Sequence, residues 1–443
     1  FEINDVIANQ MKLPYSTGLI WAYCLEDERV AKNYQLDEWF YYRDDERNLD
    51  TMFEDIKNPT IVGFNCFVWN WEFNKIMAKK IKDKYPEAVI VFGGWQQPTA
   101  DRSQGFFKEE PYVDILVHGE GEVTFREILV ENLKENPDFK TIAGCSVKND
   151  DLTTFVTPER KRIQDLKWQS LEKIYNEIDW ISENKVEFVY NADSNFGLLA
   201  DHLPITKYFV KKKKETGYPV GHRCDWAKNK ADKVIELAKL FYDANMDKGI
   251  TIALQSMNAD TLKAIKRRNV DNGKLEQFLK MYNDWELPSY VELILGLPEE
   301  TYDSFIHGVS QVMELDQHNY IGIYPLTAFP NTPFGDPEYI EKYELDIVDT
   351  YTAFMHYDIS EQNDFERETM IVGTRTMSRE EYKKAYYFRW MVMYGHYLGV
   401  VQFISRFLRV YSDVTYETFY NTLLQHSYDN PDSFLGQELK ETI

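Results

Sequence analysis

Cysteine is scarce in this chain: four residues in 443, at Cys24, Cys66, Cys145 and Cys224. Their wide spacing excludes a disulfide framework and a Cys-x-x-Cys metal knuckle, and it fits a reducing, cytoplasmic setting. Positive charge is also short, with 50 Lys+Arg against 73 Asp+Glu and a formal charge of -23. Such a surface repels phosphate backbones and anionic lipid, so neither nucleic acid nor membrane is an expected partner. No long hydrophobic run is present. The most apolar stretch, 390–404, is broken by His396 and Gln402 and flanked by Arg389 and Arg406. It is too short and too polar to cross a bilayer and reads as a buried C-terminal helix. The opening residues, Phe1-Glu2-Ile3-Asn4-Asp5, lack the basic region and apolar core of a secretory signal, and the chain begins without Met. No leader is expected, and the start reads as trimmed. Solenoid repeats are absent.

What is present is ordinary globular composition, 44% hydrophobic and 28% charged, at a length that implies two or three domains. An aromatic content of 15% suits large buried cavities. From residue 18 to about 135, short apolar runs alternate with helical stretches, which is the pattern of a parallel sheet wrapped by helices. Strands are expected at 18–23, 60–64, 88–92 and 113–117, with a helix over 71–84. Their ends carry Asn65, Gly93-Gly94 and His118-Gly119-Glu120-Gly121, where ligands of doubly wound sheets bind. A second alternation starts with a helix at 168–182, followed by strands at 186–190, 218–223, 249–254, 290–295 and 320–324. Strands joined by crossover helices imply a parallel barrel or part of one, with its first strand missing. After about Pro337 the pattern turns helical, without a strand array.

Five segments together carry a resemblance: Val91-Phe92-Gly93-Gly94, Val117-His118-Gly119-Glu120-Gly121-Glu122, Asn191-Ala192-Asp193-Ser194-Asn195-Phe196-Gly197, Leu254-Gln255-Ser256, and 292–301, Glu-Leu-Ile-Leu-Gly-Leu-Pro-Glu-Glu-Thr. In order and spacing the chain resembles the cobalamin-dependent radical S-adenosylmethionine (SAM) enzymes. The resemblance implies an α/β protein: a Rossmann-like cobalamin-binding domain over 1–140, a linker over 141–167, a partial (β/α)6 radical SAM barrel over 168–336, and a mainly helical region over 337–443. It also implies cobalamin, a 4Fe-4S cluster and SAM as cofactors.

For cobalamin the resemblance points to Asn65, Cys66, Gly93, Gly94, His118, Gly119, Glu120 and Gly121. Glycine at a strand end permits positive φ and close approach of a bulky ligand, although a tight strand-to-helix turn asks for the same residue. Glu122 reads as a cap of the following helix. No Asp-x-His-x-x-Gly motif occurs, so the cobalamin would be held without a protein His ligand. For SAM the corresponding residues are Asp193, Asn195, Gln255, Ser256, Arg268, Gly296 and Leu297. An Asx turn is the alternative for Asp193 and Asn195, and a solvated helix face for Arg267 and Arg268. Glu299 and Glu300 read as favouring the N-terminus of the next helix.

One family element is missing. The Cys-x-x-x-Cys-x-x-Cys loop that holds the 4Fe-4S cluster is absent, and no three cysteines share a loop. The first barrel strand is missing from the same place, so a single absent segment near Leu166-Lys167 accounts for both gaps. The implied function is methylation of an unactivated carbon through a 5'-deoxyadenosyl radical and methylcobalamin. A flavodoxin or ferredoxin would serve as electron donor, and a small molecule or peptide as substrate. Rearrangement or ring contraction is the alternative chemistry, and a cobalamin- and SAM-binding pseudoenzyme the non-catalytic one. No residue stands out as catalytic.

Overall fold

The computed structural model describes every residue except 1, 5–13, 38–39, 43–48, 162–169, 228–230, 268–271, 352–365 and 443. The chain forms two compact units. The first comprises Phe1–Gln164, Thr327–Ile340 and Val348–Met370, and the second Asp165–Leu326, Glu341–Ile347 and Ile371–Ile443.

In the first unit, β1 (Glu2–Asn4) and β2 (Phe40–Tyr42) pair in parallel. The main sheet contains β3 (Ile61–Asn65), β4 (Val89–Gly93), β5 (Ile115–Val117), β6 (Cys145–Lys148) and β7 (Thr154–Val156), in that spatial order. β3, β4 and β5 run parallel, and β6 and β7 add on antiparallel. The near-continuous apolar runs of β4 and β5 follow from burial on both faces. On one face the helix Trp71–Lys84 sets Phe73, Met77 and Ile81 against Phe64, Ile90, Phe92 and Leu116. On the other, Ile128 of the helix Gly121–Glu131 packs on Val91, Ile115 and Val117. The sheet is thus Rossmann-like. Glu366, buried, accepts from the backbone N–H of Glu72 and Phe73 at 3.1 and 3.0 Å. Its carboxylate therefore bonds first-turn N–H donors at the positive end of the helix Trp71–Lys84.

The expected strand at 18–23 is instead part of a helix, Tyr15–Leu25. Its apolar residues Ile20, Trp21 and Cys24 lie against Phe125 and Leu129 of the helix Gly121–Glu131, and that packing partner decides the period.

The second unit carries five parallel strands in two hydrogen-bonded groups: β8 (Phe188–Phe196) with β9 (Gly221–Trp226), and β10 (Ile250–Gln255) with β11 (Ser289–Leu295) and β12 (Tyr320–Pro325). The helix Leu171–Glu183 precedes β8, and His202–Thr216, Ala231–Asp243, Asn272–Asp284 and Tyr302–Glu314 intervene between successive strands. β9 buries His222, Cys224 and Trp226 against these helices, and β11 buries Val291, Leu293 and Leu295. No strand lies between β7 and the helix at 171 among the described residues; 162–169, where the missing segment was expected, fall outside them.

Two expectations for the C-terminal region need correction. It does contain strands, β13 (Asp346–Tyr351) and β14 (Arg367–Gly373), which pair with each other. The stretch 390–404 is not one buried helix. The helix Arg379–Trp390 continues in π-helical form over Met391–Tyr397, the chain then turns, and a new helix runs over Gln402–Ser412. Val400, in the turn, is exposed, and so is Phe403, because Ser405 is the residue of the new helix turned to the core.

Candidate functional site

A cavity of about 660 Å³ opens along β3 and over the carboxyl ends of β3, β4 and β5. Asn65, Gly93, Gly94, Gly119, Glu120 and Gly121 all line it, so six of the eight residues expected there are brought together. Gly94 has φ +115, and a Cβ built on it would stand 2.4 Å from the Cys66 carbonyl oxygen. Only glycine lets the chain after β4 cross the end of β3 this closely. At Gly119, with φ +74, a Cβ would meet nothing within 4 Å, so that backbone faces open space.

Cys66 and His118 do not line the cavity. Cys66 is fully buried; its N–H donates to Gly93 O at 2.6 Å, and its carbonyl accepts from Gln96 N–H at 3.1 Å. His118 Nε2 lies 2.8 Å from Ser146 Oγ, which in turn lies 2.9 Å from Ser103 Oγ, so the ring is committed to the β6 side. Burial holds the His118 pKa below the usual imidazole value. Glu122 lies in the first turn of its helix, one residue past the start at Gly121.

In the second unit the expected SAM residues lie at the carboxyl ends of parallel strands. Asp193 and Asn195 belong to β8 itself, where Asp193 Oδ1 accepts from Asn195 N–H at 2.8 Å. Asp193 Oδ2 is 3.1 Å from His202 Nε2, and His202 Nδ1 accepts from Gly197 N–H at 2.6 Å. Asp193 is thus occupied by a local turn and a histidine. Gln255 ends β10 at a register shift against β11, with φ +68, and Ser256 beside it is buried. Gly296 has φ +96, and a Cβ there would come within 3.2 Å of both Ile371 O and the Tyr382 ring. Leu297 is buried next to it. Arg268 falls outside the described residues, and Arg267 is exposed.

The residue reading missed three features. The helix Tyr15–Leu25 contributes Tyr15, Ser16 and Thr17 to the cavity, which its misassignment as a strand concealed. Tyr190, Arg223 and Asp225 lie exposed on β8 and β9, with Tyr190 OH donating to Asp225 Oδ2 at 3.0 Å. Glu300 is buried, and the hydrogen-bonded cap of the next helix is Thr301, in a reciprocal pair with Ser304.

Comparison with known proteins places this geometry. The chain is 30% identical over 476 residues to the 2-(S-pantetheinyl)-carbapenam-3-carboxylate methyltransferase of Streptantibioticus cattleyicolor, a match that takes in 96% of this chain and 69% of that protein. It is 30% identical over 479 residues to the cobalamin-dependent radical SAM methyltransferase TokK of Streptomyces tokunonensis, with the same coverage. The chain belongs to the cobalamin-dependent radical SAM methyltransferases. Its fold is also that of the radical SAM methyltransferase TsrM from Kitasatospora setae, solved with cobalamin and a 4Fe-4S cluster, at TM-score 0.60 and 14% identity over 88% of this chain and 89% of that one. No family model matches.

Cobalamin, SAM and a 4Fe-4S cluster are the cofactors of this family. The first sheet fits a corrinoid: glycine backbone at the ends of β4 and β5 borders a cavity within the ~300–1,000 Å³ range of small-molecule sites. The cluster does not fit the residues present. Cys24 lies on the helix Tyr15–Leu25, Cys66 after β3, Cys145 on β6 and Cys224 on β9, all four buried and separate. Burial pushes the thiols of Cys24 and Cys145 up to about 12, and those of Cys66 and Cys224 higher as well. Iron is held by thiolates, and these sites disfavour the thiolate. Among the described residues no group of three His, Cys, Asp or Glu could hold a metal ion. No helix among them is long and apolar enough to cross a membrane.

Proposed function

We propose that this chain methylates a carbon of a small organic molecule. The corrinoid would sit against Asn65, Gly93, Gly94, Gly119 and Gly121, and SAM at the carboxyl ends of β8, β10 and β11. The observation that carries this reading is the cavity over three parallel strand ends, bordered by glycines in a chain of this family. Cobalamin, when bound, supplies a cobalt that carries the methyl group.

The chain's own residues do the rest. Gly94 and Gly119 present backbone where side chains would block approach, and Asn65 and Glu120 offer polar groups at the rim. The positive φ of Gly296 keeps the segment after β11 close to Ile371 of β14. We read β8 to β12 as a partial barrel, a reading supported by five parallel strands with intervening helices. The substrate class is supported by the relatives' methyltransferase names, one of which specifies a carbapenam carboxylate.

The alignment with the carbapenam methyltransferase spans 476 positions, against about 425 residues here (96% of 443), so about 50 aligned positions have no counterpart in this chain. That difference supports an internal interruption, which we place between Leu166 and Lys167. The test has two parts. Hydroxocobalamin is added to the purified chain, the excess is removed, and cobalt is counted per polypeptide; about one is expected, and a ratio near zero overturns the reading. The intact mass is then compared with that of the 443 residues. A heavier chain that also takes up iron supports the interruption, whereas a matching mass makes a cluster-free cobalamin binder the better account.

A further inference from the structure

The segment after β11 carries two neighbouring carboxylates in opposite surroundings. Glu299 is paired with Arg375. Glu300 is 2% exposed; its Oε1 accepts from Ser256 Oγ at 2.6 Å, while its Oε2 has no hydrogen-bond partner among the described residues. A buried carboxyl oxygen left unpaired is unfavourable, so such a group persists where its other contacts hold it.

Those contacts converge on a strained piece of backbone. Gln255 adopts φ +68 inside a strand, where Ala253 pairs with Glu292 but Gln255 with Leu293. A left-handed glutamine at a bulge is held by its surroundings, and bulges of this kind re-aim a side chain. The Ser256 hydroxyl, donating to Glu300, also accepts from Asn258 N–H at 3.0 Å. From the other side, Thr376 Oγ1 donates to Glu300 O at 2.9 Å. One carboxyl therefore joins the end of β10, the segment after β11 and the turn at 374–377. Helix capping does not explain it, since Thr301 and Ser304 perform that task.

The geometry points to Glu300 as a positioning residue for SAM: its buried carboxyl fixes the Ser256 hydroxyl, and with it the bulge that presents Gln255 at the end of β10. This rests on the reading that SAM binds there. Burial raises the Glu300 pKa to about 7, with the Ser256 hydroxyl opposing. The charged neighbours Glu299 and Arg375 are taken up with each other, and Tyr382, from the helix Arg379–Trp390, lies against Gly296 of the same segment. The carboxyl is therefore protonated at low pH and ionises near neutrality in a site without a counter-charge among the described residues, which loosens the joint as pH rises.

The test is calorimetric titration of the full chain with S-adenosylhomocysteine from about pH 6 to about pH 8.5. Wild-type affinity is expected to fall across neutrality. Glu300→Gln, which keeps the acceptor, should bind normally at the acid end and lose the pH dependence. Glu300→Leu and Ser256→Ala should each weaken binding about tenfold, and the double variant no more than either alone. Glu300→Gln retaining the wild-type pH profile overturns the proposal, and so does a folded Glu300→Leu with unchanged affinity. If Glu300→Leu does not fold, the Glu300→Gln profile decides. A wild-type chain that binds no S-adenosylhomocysteine at any pH overturns the SAM site itself, and the positioning role with it.

Discussion

Replacing Gly94 by alanine tests how the carboxyl edge of the first sheet is built. At φ +115 an alanine pays backbone strain of about 1–2 kcal/mol. Its Cβ would also stand 2.4 Å from Cys66 O and 2.9 Å from Cys66 N, so the backbone after β3 must move. That movement endangers two hydrogen bonds, Cys66 N–H to Gly93 O and Gln96 N–H to Cys66 O, worth about 0.5–1.5 kcal/mol each. The expected loss is about 2–5 kcal/mol, or about 5–15 °C in Tm for a unit of roughly 200 residues. Gly119→Ala is the control: φ is also positive, but nothing lies within 4 Å, so only about 1 kcal/mol of strain is expected. Urea unfolding followed by far-ultraviolet ellipticity measures both. If Gly94→Ala is no less stable than Gly119→Ala, the close crossing of β3 and β4 is not what requires glycine, and the reasoning fails.

The four cysteines should be unreactive toward Ellman's reagent in the native chain and should all react once it is unfolded, since each is buried with a raised thiol pKa. Any fast-reacting native thiol would contradict that burial. A pH effect is expected from His318 and His396, whose Nδ1 and Nε2 lie 3.0 Å apart. Burial, with Arg406 nearby, lowers their pKa values to about 4 and about 3. Because the fold favours the neutral rings, their contribution is intact above the unfolded value of ~6.5 and is lost as pH falls from there toward 4. Asp316, Tyr416 and Tyr420 also face the pair. Thermal melts should hold level above neutrality and decline below it, less steeply in a His318→Gln, His396→Gln double variant; equal slopes would remove the histidines from the account.

Much of the architecture was legible in the sequence because it rests on local pattern. The 3.6-residue spacing over 71–84 marked a helix with both ends correct, and the apolar runs of β3, β4, β5, β11 and β12 were located to within two or three residues. Gly93-Gly94 and Gly119 stood out because glycine at a strand end has few other uses. Residues 18–23 misled because a short apolar run is compatible with either period, and the choice fell to Phe125 and Leu129, about a hundred positions away.

By itself the sequence determined the α/β character, the glycine-bordered strand ends and the scarcity of thiolates that leaves a cluster without ligands, since each follows from residue identity and spacing alone. Only the tertiary structure decided that His118 turns to Ser146, that Asp193 is taken up by His202, and that Glu300 is buried under Ser256. Those outcomes depend on partners brought from distant strands and helices, and the direction of a side chain is set by what it meets there.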